Sequence, residues 1–112
     1  MKEETPSQKM IIELFGDSRK EQKKIMKQII LEFRLDFIEF KNFYDLRDYT
    51  EASEVVHRLN HKIGMLGLEK NYTLAQHFES ELRQDNTIRY DNYMKILSTV
   101  SQYLDDYEKY NF

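Results

Sequence analysis

The chain has 112 residues, of which 40% are hydrophobic and 33% charged, and its formal net charge is -3. This length fits one domain over residues 1–112, and the mild, interspersed charge excludes the basic surface that nucleic acid or an anionic membrane would attract. The absence of cysteine excludes disulfides, thiolate ligands and a thiol nucleophile, and no apolar run approaches the roughly 20 residues that span a bilayer, so we expect a cytoplasmic protein.

Three glycines and one proline are few chain-breakers for this length, which favours long helices joined by short loops. The first predicted helix is short and covers about residues 7–15. The second begins after a cap at Asp17 or Ser18 and runs to about Tyr44, with a broad apolar face. We predict that this face lies in the core.

The second helix also carries a narrower apolar stripe on its other side, formed by Leu31, Leu35 and Ile38 and called here the outer stripe. A helix in a simple bundle does not need this additional apolar surface. Two interpretations are open: the short first helix folds back over the outer stripe, or the stripe is a docking patch for a partner protein. Dimerisation through the stripe also stays open, and a monomer is the simpler expectation.

Three further helices follow in the pattern of apolar residues. The third begins at Thr50, a good cap residue, and ends near Gly67. The fourth covers about residues 72–84, and the fifth runs from about Tyr90 towards Tyr107. Four long amphipathic helices with short connections pack most simply as an antiparallel up-down four-helix bundle, with the short first helix as an extra. The predicted fold class is therefore all-α.

The third helix carries two histidines, His57 and His61, which lie one turn apart and about 100° to 180° from its apolar face. Both should face solvent. Gly64 leaves a gap in the surface one turn further on, while Arg58 and Lys62 supply nearby positive charge. This arrangement suits the binding of an anion, although exposed histidines on helices are common and often have no function.

The segment 56–67 resembles the signature of histidine phosphotransfer (HPt) domains. In that pattern His57 takes the place of the phosphorylated histidine, Leu59 that of a buried leucine, and Gly64 that of a later small residue. The resemblance continues into the fourth helix, and the order and lengths of the helices agree with the family over about residues 6–107. The resemblance thus covers nearly the whole chain and implies the bundle fold already expected.

Two departures from the family pattern lie close to His57. Asn60 stands where the family usually has a lysine near the phosphoryl group, so Lys62 or Arg58 would have to supply the missing charge. His61 stands where the family usually has a glycine, and its ring would fill part of the space that an approaching partner uses. We therefore expect a different choice of partner, and the sequence leaves open that His61 accepts the phosphoryl group instead.

The resemblance implies a phosphoryl carrier rather than a stand-alone catalyst. His57 would accept the group from a receiver-domain aspartate and pass it to another receiver. The partners would be receiver domains of response regulators or hybrid histidine kinases, without nucleic acid or membrane. Because Mg²⁺ would be bound by the receiver, no cofactor or metal is expected on this chain. The supporting, receiver-facing residues would be Arg58, Asn60, His61, Lys62 and Gly64.

Two other functions are compatible with the same residues. One is a receiver- or helix-binding module without phosphotransfer, which the two departures allow. The other is a metal-binding helical bundle, because Glu54, His57 and His61 recur at the spacing of metal ligands on a helix. The second Glu-x-x-His motif that a di-iron bundle needs is missing, and no paired carboxylates or nucleophile elbow suggest a hydrolase.

Overall fold

The computed structural model describes residues 4–112, which fold into α-helices without a strand. The predicted all-α class is confirmed. No helix within residues 4–112 is long and apolar enough to cross a membrane. The helices are α1 (Lys9–Phe15), α2 (Arg19–Asp45), α3 (Tyr49–Met65), α4 (Glu69–Leu82) and α5 (Tyr90–Asn111).

Helix α3 packs against α2 on one side and against α4 on the other, and α5 contacts both α4 and α2. Aromatic side chains fill the space between the helices. Phe40 of α2 meets Phe78 of α4 and Tyr93 of α5 edge to face, with ring centroids 6.2 and 5.7 Å apart. Such ring pairs add to the stabilisation from burial alone. Since all three side chains are fully buried, this cluster fixes α2, α4 and α5 around α3.

The starts of α2 and α3 show how caps decide helix boundaries. Helix α2 begins as predicted after Ser18, whose hydroxyl oxygen accepts the backbone N–H of Glu21. Helix α3 begins earlier than predicted, because Asp48 and not Thr50 is its cap; the Asp48 carboxylate accepts the backbone N–H of Glu51 at 3.3 Å. Aspartate and threonine are both favourable cap residues, so the local sequence did not discriminate between them.

Helix α4 begins at Glu69, before the predicted start at about residue 72, and its first turn is capped by a distant residue. The carboxylate of Glu4 accepts the backbone N–H groups of Lys70 and Asn71 at 2.9 and 2.7 Å. These amides have no partner within the helix, and a negative charge near them is favoured by the helix dipole. The segment before α1 therefore holds the junction between α3 and α4.

The outer stripe is not covered by α1. The exposed fractions of Leu31, Leu35 and Ile38 are 54%, 67% and 61%. Helix α1 instead buries Ile11 in the core and places Phe15 at a cleft between α2 and α3. The interpretation that the first helix folds over the outer stripe is therefore wrong, and the stripe is open surface.

Candidate functional site

His57 lies in the middle of α3 on the side that faces α4, and 53% of its side chain is exposed. Its Nδ1 atom lies 3.1 and 3.3 Å from the two carboxylate oxygens of Glu79. A carboxylate accepts hydrogen bonds, so this contact requires the proton on Nδ1, and the neutral ring then keeps its lone pair on Nε2. Within residues 4–112 Nε2 has no hydrogen-bond partner, which leaves the nucleophilic nitrogen open at the surface.

Glu79 is itself held in place by a basic residue of the same helix. Arg83 donates a hydrogen bond of 2.7 Å to Glu79 and also pairs with Glu54 of α3 at 3.2 Å. The hydrogen bond to Glu79 raises the pKa of the Arg83 guanidinium, in spite of burial, which lowers it. Only 13% of the Glu79 side chain is exposed, so its carboxylate is presented to His57 in a fixed position. We call His57, Glu79 and Arg83 the histidine cluster.

Glu79 and Arg83 were not predicted to belong to the site. Their spacing of four residues predicts a pair on one helix face, which is common on protein surfaces. The contact with His57 depends on how α4 packs against α3, and nothing local to either helix indicates that contact.

Asn60, expected to face a receiver, is instead buried, with 2% exposed. Its amide nitrogen donates to the backbone carbonyl of Ala75 at 3.0 Å, and its oxygen accepts the hydroxyl of Tyr93 at 2.9 Å. Burial raises the pKa of Tyr93 well above its ordinary value, which keeps the hydroxyl protonated as a donor. The expectation of surface exposure is wrong for Asn60, because these bonds make it a link between α3, α4 and α5.

Arg58 and Lys62 point away from His57 and towards α2. Arg58 Nε donates to Asp36 Oδ1 at 3.2 Å, and Lys62 Nζ donates to Asp36 Oδ2 at 3.2 Å. Asp36 and Lys62 are buried, with 8% and 9% exposed. We call these three residues the Asp36 network. The expectation that Arg58 and Lys62 place positive charge beside His57 is therefore wrong; the guanidinium of the histidine cluster is that of Arg83.

His61 and Gly64 lie at the surface next to His57, on the face where the sequence analysis placed them. The ring of His61 meets that of His57 edge to face, with centroids 4.6 Å apart. Beyond it lies an open, mainly apolar cleft of about 500 Å³. A side chain at Gly64 would reach into this cleft, since an added Cβ would lie 3.5 Å from the ring of Tyr72. The cleft is lined by Met10, His61, Gly64, Met65, Glu69 and Tyr72.

A metal site finds no support in this arrangement. Within residues 4–112 no group of three or more histidine, aspartate or glutamate side chains is placed to hold a metal ion. Glu54, the third residue of the predicted ligand set, pairs with Arg83 instead.

Comparison with known proteins gives no match: no family model fits the chain, and neither the curated proteins nor the solved structures contain a significant relative. The resemblance to HPt domains thus rests on the sequence pattern alone, above all on the segment 56–67.

Proposed function

We propose that this protein is a phosphoryl carrier of the HPt type, which accepts a phosphoryl group from a receiver-domain aspartate on Nε2 of His57 and passes it to another receiver. The observation that carries this proposal is the contact between His57 Nδ1 and Glu79 in a ring that stays half exposed. A mostly buried carboxylate, that of Glu79, sets the tautomer, and the exposed edge of the ring keeps the lone pair.

The chemistry follows from this geometry. The lone pair of Nε2 forms a bond to phosphorus while the bond from phosphorus to the receiver's aspartate oxygen breaks, and that carboxylate leaves with the electron pair. The proton on Nδ1 stays, so the phosphorylated ring is positively charged and lies 3.1 Å from the carboxylate of Glu79. This charge-assisted contact stabilises the phosphohistidine. Transfer to a second receiver aspartate is the reverse reaction.

The carrier needs little catalytic machinery of its own. Phosphoryl transfer depends mainly on positioning and on stabilising the charge of the transferring oxygens, and Mg²⁺ bound by the receiver would supply the main part of that charge. On this chain, the partly exposed Arg83 is the cation of the histidine cluster, with 40% of its side chain exposed. It can compensate for the lysine that the family pattern places at Asn60.

We also propose that α2 to α5 form an antiparallel up-down four-helix bundle, which would present His57 midway along a rigid helix. Contacts between adjacent helices support this arrangement, because residue numbers rise along one helix as they fall along its neighbour. The supporting pairs are His57 with Glu79, Asn60 with Ala75, Arg34 with Glu108 and Lys41 with Tyr90.

The experiment is incubation of the protein with a panel of receiver domains that carry radiolabelled phosphoryl groups. Wild type, His57→Gln, His61→Gln and His77→Gln are compared; His77 is an exposed histidine of α4 and serves as the matched control. We expect acid-labile, base-stable label on all except His57→Gln. Loss of label only in His61→Gln would move the site by one turn.

A binding module without phosphotransfer is the second candidate, because the open, mainly apolar cleft beside His61 has room for side chains of a partner. A module of this kind would bind a receiver, take no label from any member of the panel, and keep its affinity in His57→Gln. That combination of results, on protein whose helical circular dichroism is intact, would contradict the carrier proposal.

A further inference from the structure

The outer stripe is an exposed apolar surface that the proposed transfer does not use. Leu31, Leu35 and Ile38 follow one another at spacings of four and three residues, so they form a continuous ridge along α2. Each is more than half exposed. Contiguous apolar surface of this kind on a folded protein marks an interaction site more often than isolated apolar residues do.

Charged residues lie at both ends of the same helix face. At about 100° per residue, Lys24 falls within about 20° of Leu35, and Asp45 falls within about 80° of it. Lys24 lies about 16 Å before Leu35 along the axis and Asp45 about 15 Å after it, at a rise of about 1.5 Å per residue. Both are exposed; Asp45 has a loose 3.7 Å pair with Lys41 and keeps 68% of its side chain exposed. The face therefore has a basic end, an apolar centre and an acidic end.

We propose that this face binds a second copy of the same chain, with the two α2 helices antiparallel and a two-fold axis near Leu35. In the register that places Leu31 opposite Ile38 of the second copy, Lys24 also falls opposite Asp45. Every contact then occurs twice, as a two-fold interface requires. A parallel pair would place Lys24 against Lys24 and Asp45 against Asp45, so the charges select the antiparallel arrangement.

The length of α2 is sufficient for such an interface. The helix has 27 residues, or about 40 Å, and the face from Lys24 to Asp45 covers about 30 Å of it. The apolar centre consists of three side chains from each copy, which is small for a permanent dimer. The proposed dimer is therefore a reversible one whose population depends on protein concentration, and it differs from the monomer expected from the sequence.

The dimer leaves the proposed carrier site accessible. His57 and Glu79 lie on α3 and α4, and the outer stripe lies on the surface of α2. Dimerisation through the outer stripe thus does not depend on phosphotransfer. The His57 side chain of each copy in the dimer remains accessible to partners.

The first test is sedimentation equilibrium of the full chain over a wide range of concentrations. Wild type should associate to a dimer, and Leu35→Glu should remain a monomer with an unchanged thermal melt. Ile88→Glu is the matched control, because Ile88 is 77% exposed but lies in the loop before α5; it should dimerise like wild type. A wild type that is monomeric at every concentration, or a Leu35→Glu variant that still dimerises, would overturn the proposal.

The second test uses the charges to establish the register. Lys24→Glu and Asp45→Lys should each weaken dimerisation by roughly tenfold at low salt, because each creates two like-charge contacts. When the two variants are mixed, a heterodimer should form with wild-type affinity, since residue 24 of each copy again faces an opposite charge at residue 45. The control pair Lys95→Glu and Asp106→Lys, on the exposed face of α5, should show no effect singly or mixed. Failure of the mixture to recover association would overturn the antiparallel register.

Discussion

Helix α3 has polar contacts on two sides, and the two sides differ in burial. Towards α2 lies the Asp36 network, in which Asp36 and Lys62 are 8% and 9% exposed. Towards α4 lies the histidine cluster, in which 53% of the His57 side chain is exposed. Both sides pair acids with bases across a helix interface. The first holds its shared carboxylate and its ammonium in the interior, with only Arg58 partly exposed, whereas the second leaves the Nε2 edge of His57 open to solvent.

The side chains on the two sides of α3 come from adjacent residues of the sequence. Arg58 and Lys62 are four residues apart and both point to α2, while His57 and His61 are also four residues apart and lie on the exposed side. Adjacent residues on a helix differ by about 100°, so each pair shares a face and the two pairs do not. Neighbouring polar residues in the sequence therefore belong to different physical environments, one that joins α3 to α2 and one that is open to solvent.

The largest expected effect is on the buried side. Asp36→Ala removes the carboxylate that Arg58 and Lys62 share, and it leaves a buried ammonium 3.9 Å from the carboxylate of Glu32. We expect a loss of about 3 kcal/mol in the free energy of unfolding, measured by urea denaturation. Asp106→Ala, an exposed acid on α5, is the control and should change stability by less than about 0.5 kcal/mol. If Asp36→Ala and Asp106→Ala were equally stable, the Asp36 network would have no structural role that distinguishes it from exposed charged residues.

A smaller effect is expected at Asn60. Asn60→Ala leaves the buried Tyr93 hydroxyl without its acceptor and removes the additional hydrogen bond to the Ala75 carbonyl of α4, which should cost about 2 kcal/mol. Tyr93→Phe removes only the hydroxyl and should cost about 1 kcal/mol. Thermal melts followed by circular dichroism measure both. If Asn60→Ala melts at the same temperature as wild type but changes which receiver is bound, Asn60 faces the receiver and does not link the helices.

The buried tyrosine also predicts a dependence of stability on pH. Because the pKa of Tyr93 is raised in the folded state, the unfolded chain loses this proton first as the pH rises. The contribution of Tyr93 to stability is therefore complete below pH of about 10, the ordinary tyrosine value, and is lost above it. The difference in unfolding free energy between wild type and Tyr93→Phe should change in that alkaline range and stay constant at neutral pH. If this difference in unfolding free energy stays constant up to the pH at which the protein unfolds, the Tyr93 hydroxyl is not buried in its unionised form.

The smallest effect on stability is expected from Glu79→Gln, which keeps the size of the side chain and a hydrogen-bond acceptor for Nδ1. Stability should change by less than about 1 kcal/mol, whereas the rate of phosphoryl acceptance should fall by roughly tenfold, because the charge that orients and stabilises the ring is lost. Glu81→Gln is the matched control on the same helix, where Glu81 pairs with Arg89. An unchanged acceptance rate in Glu79→Gln would show that Glu79 has only a structural role.

The fold was largely predictable because its helices follow from local pattern. Apolar residues at helical spacing predicted α2 and α5, and the cap at Ser18 was found from the sequence. The start of α4 was not found, because its cap is Glu4, more than sixty residues earlier in the chain. Tertiary capping of this kind has no local signature.

The candidate site was predictable where exposure follows from the helical wheel. His57 and His61 lie on the exposed face as expected, but Asn60 was placed there by the family resemblance. The spacing contained the signal that it is buried, since Asn60 lies four residues after Val56 and three before Ile63, both core residues. Glu79 and Arg83 were missed for a different reason, since their contact with His57 exists only once α4 is packed.

Long-range ¹H–¹⁵N NMR of the histidine rings before and after phosphorylation would show which nitrogen of His57 reacts, with phosphoramidate as a small-molecule donor that needs no cognate receiver. We expect a proton on Nδ1 of His57 in the free protein and a phosphoryl group on Nε2 of His57 after treatment, formed faster than at His77. A phosphoryl group on Nδ1 of His57, or on His61 in its place, would contradict the role of Glu79 in setting the reactive nitrogen.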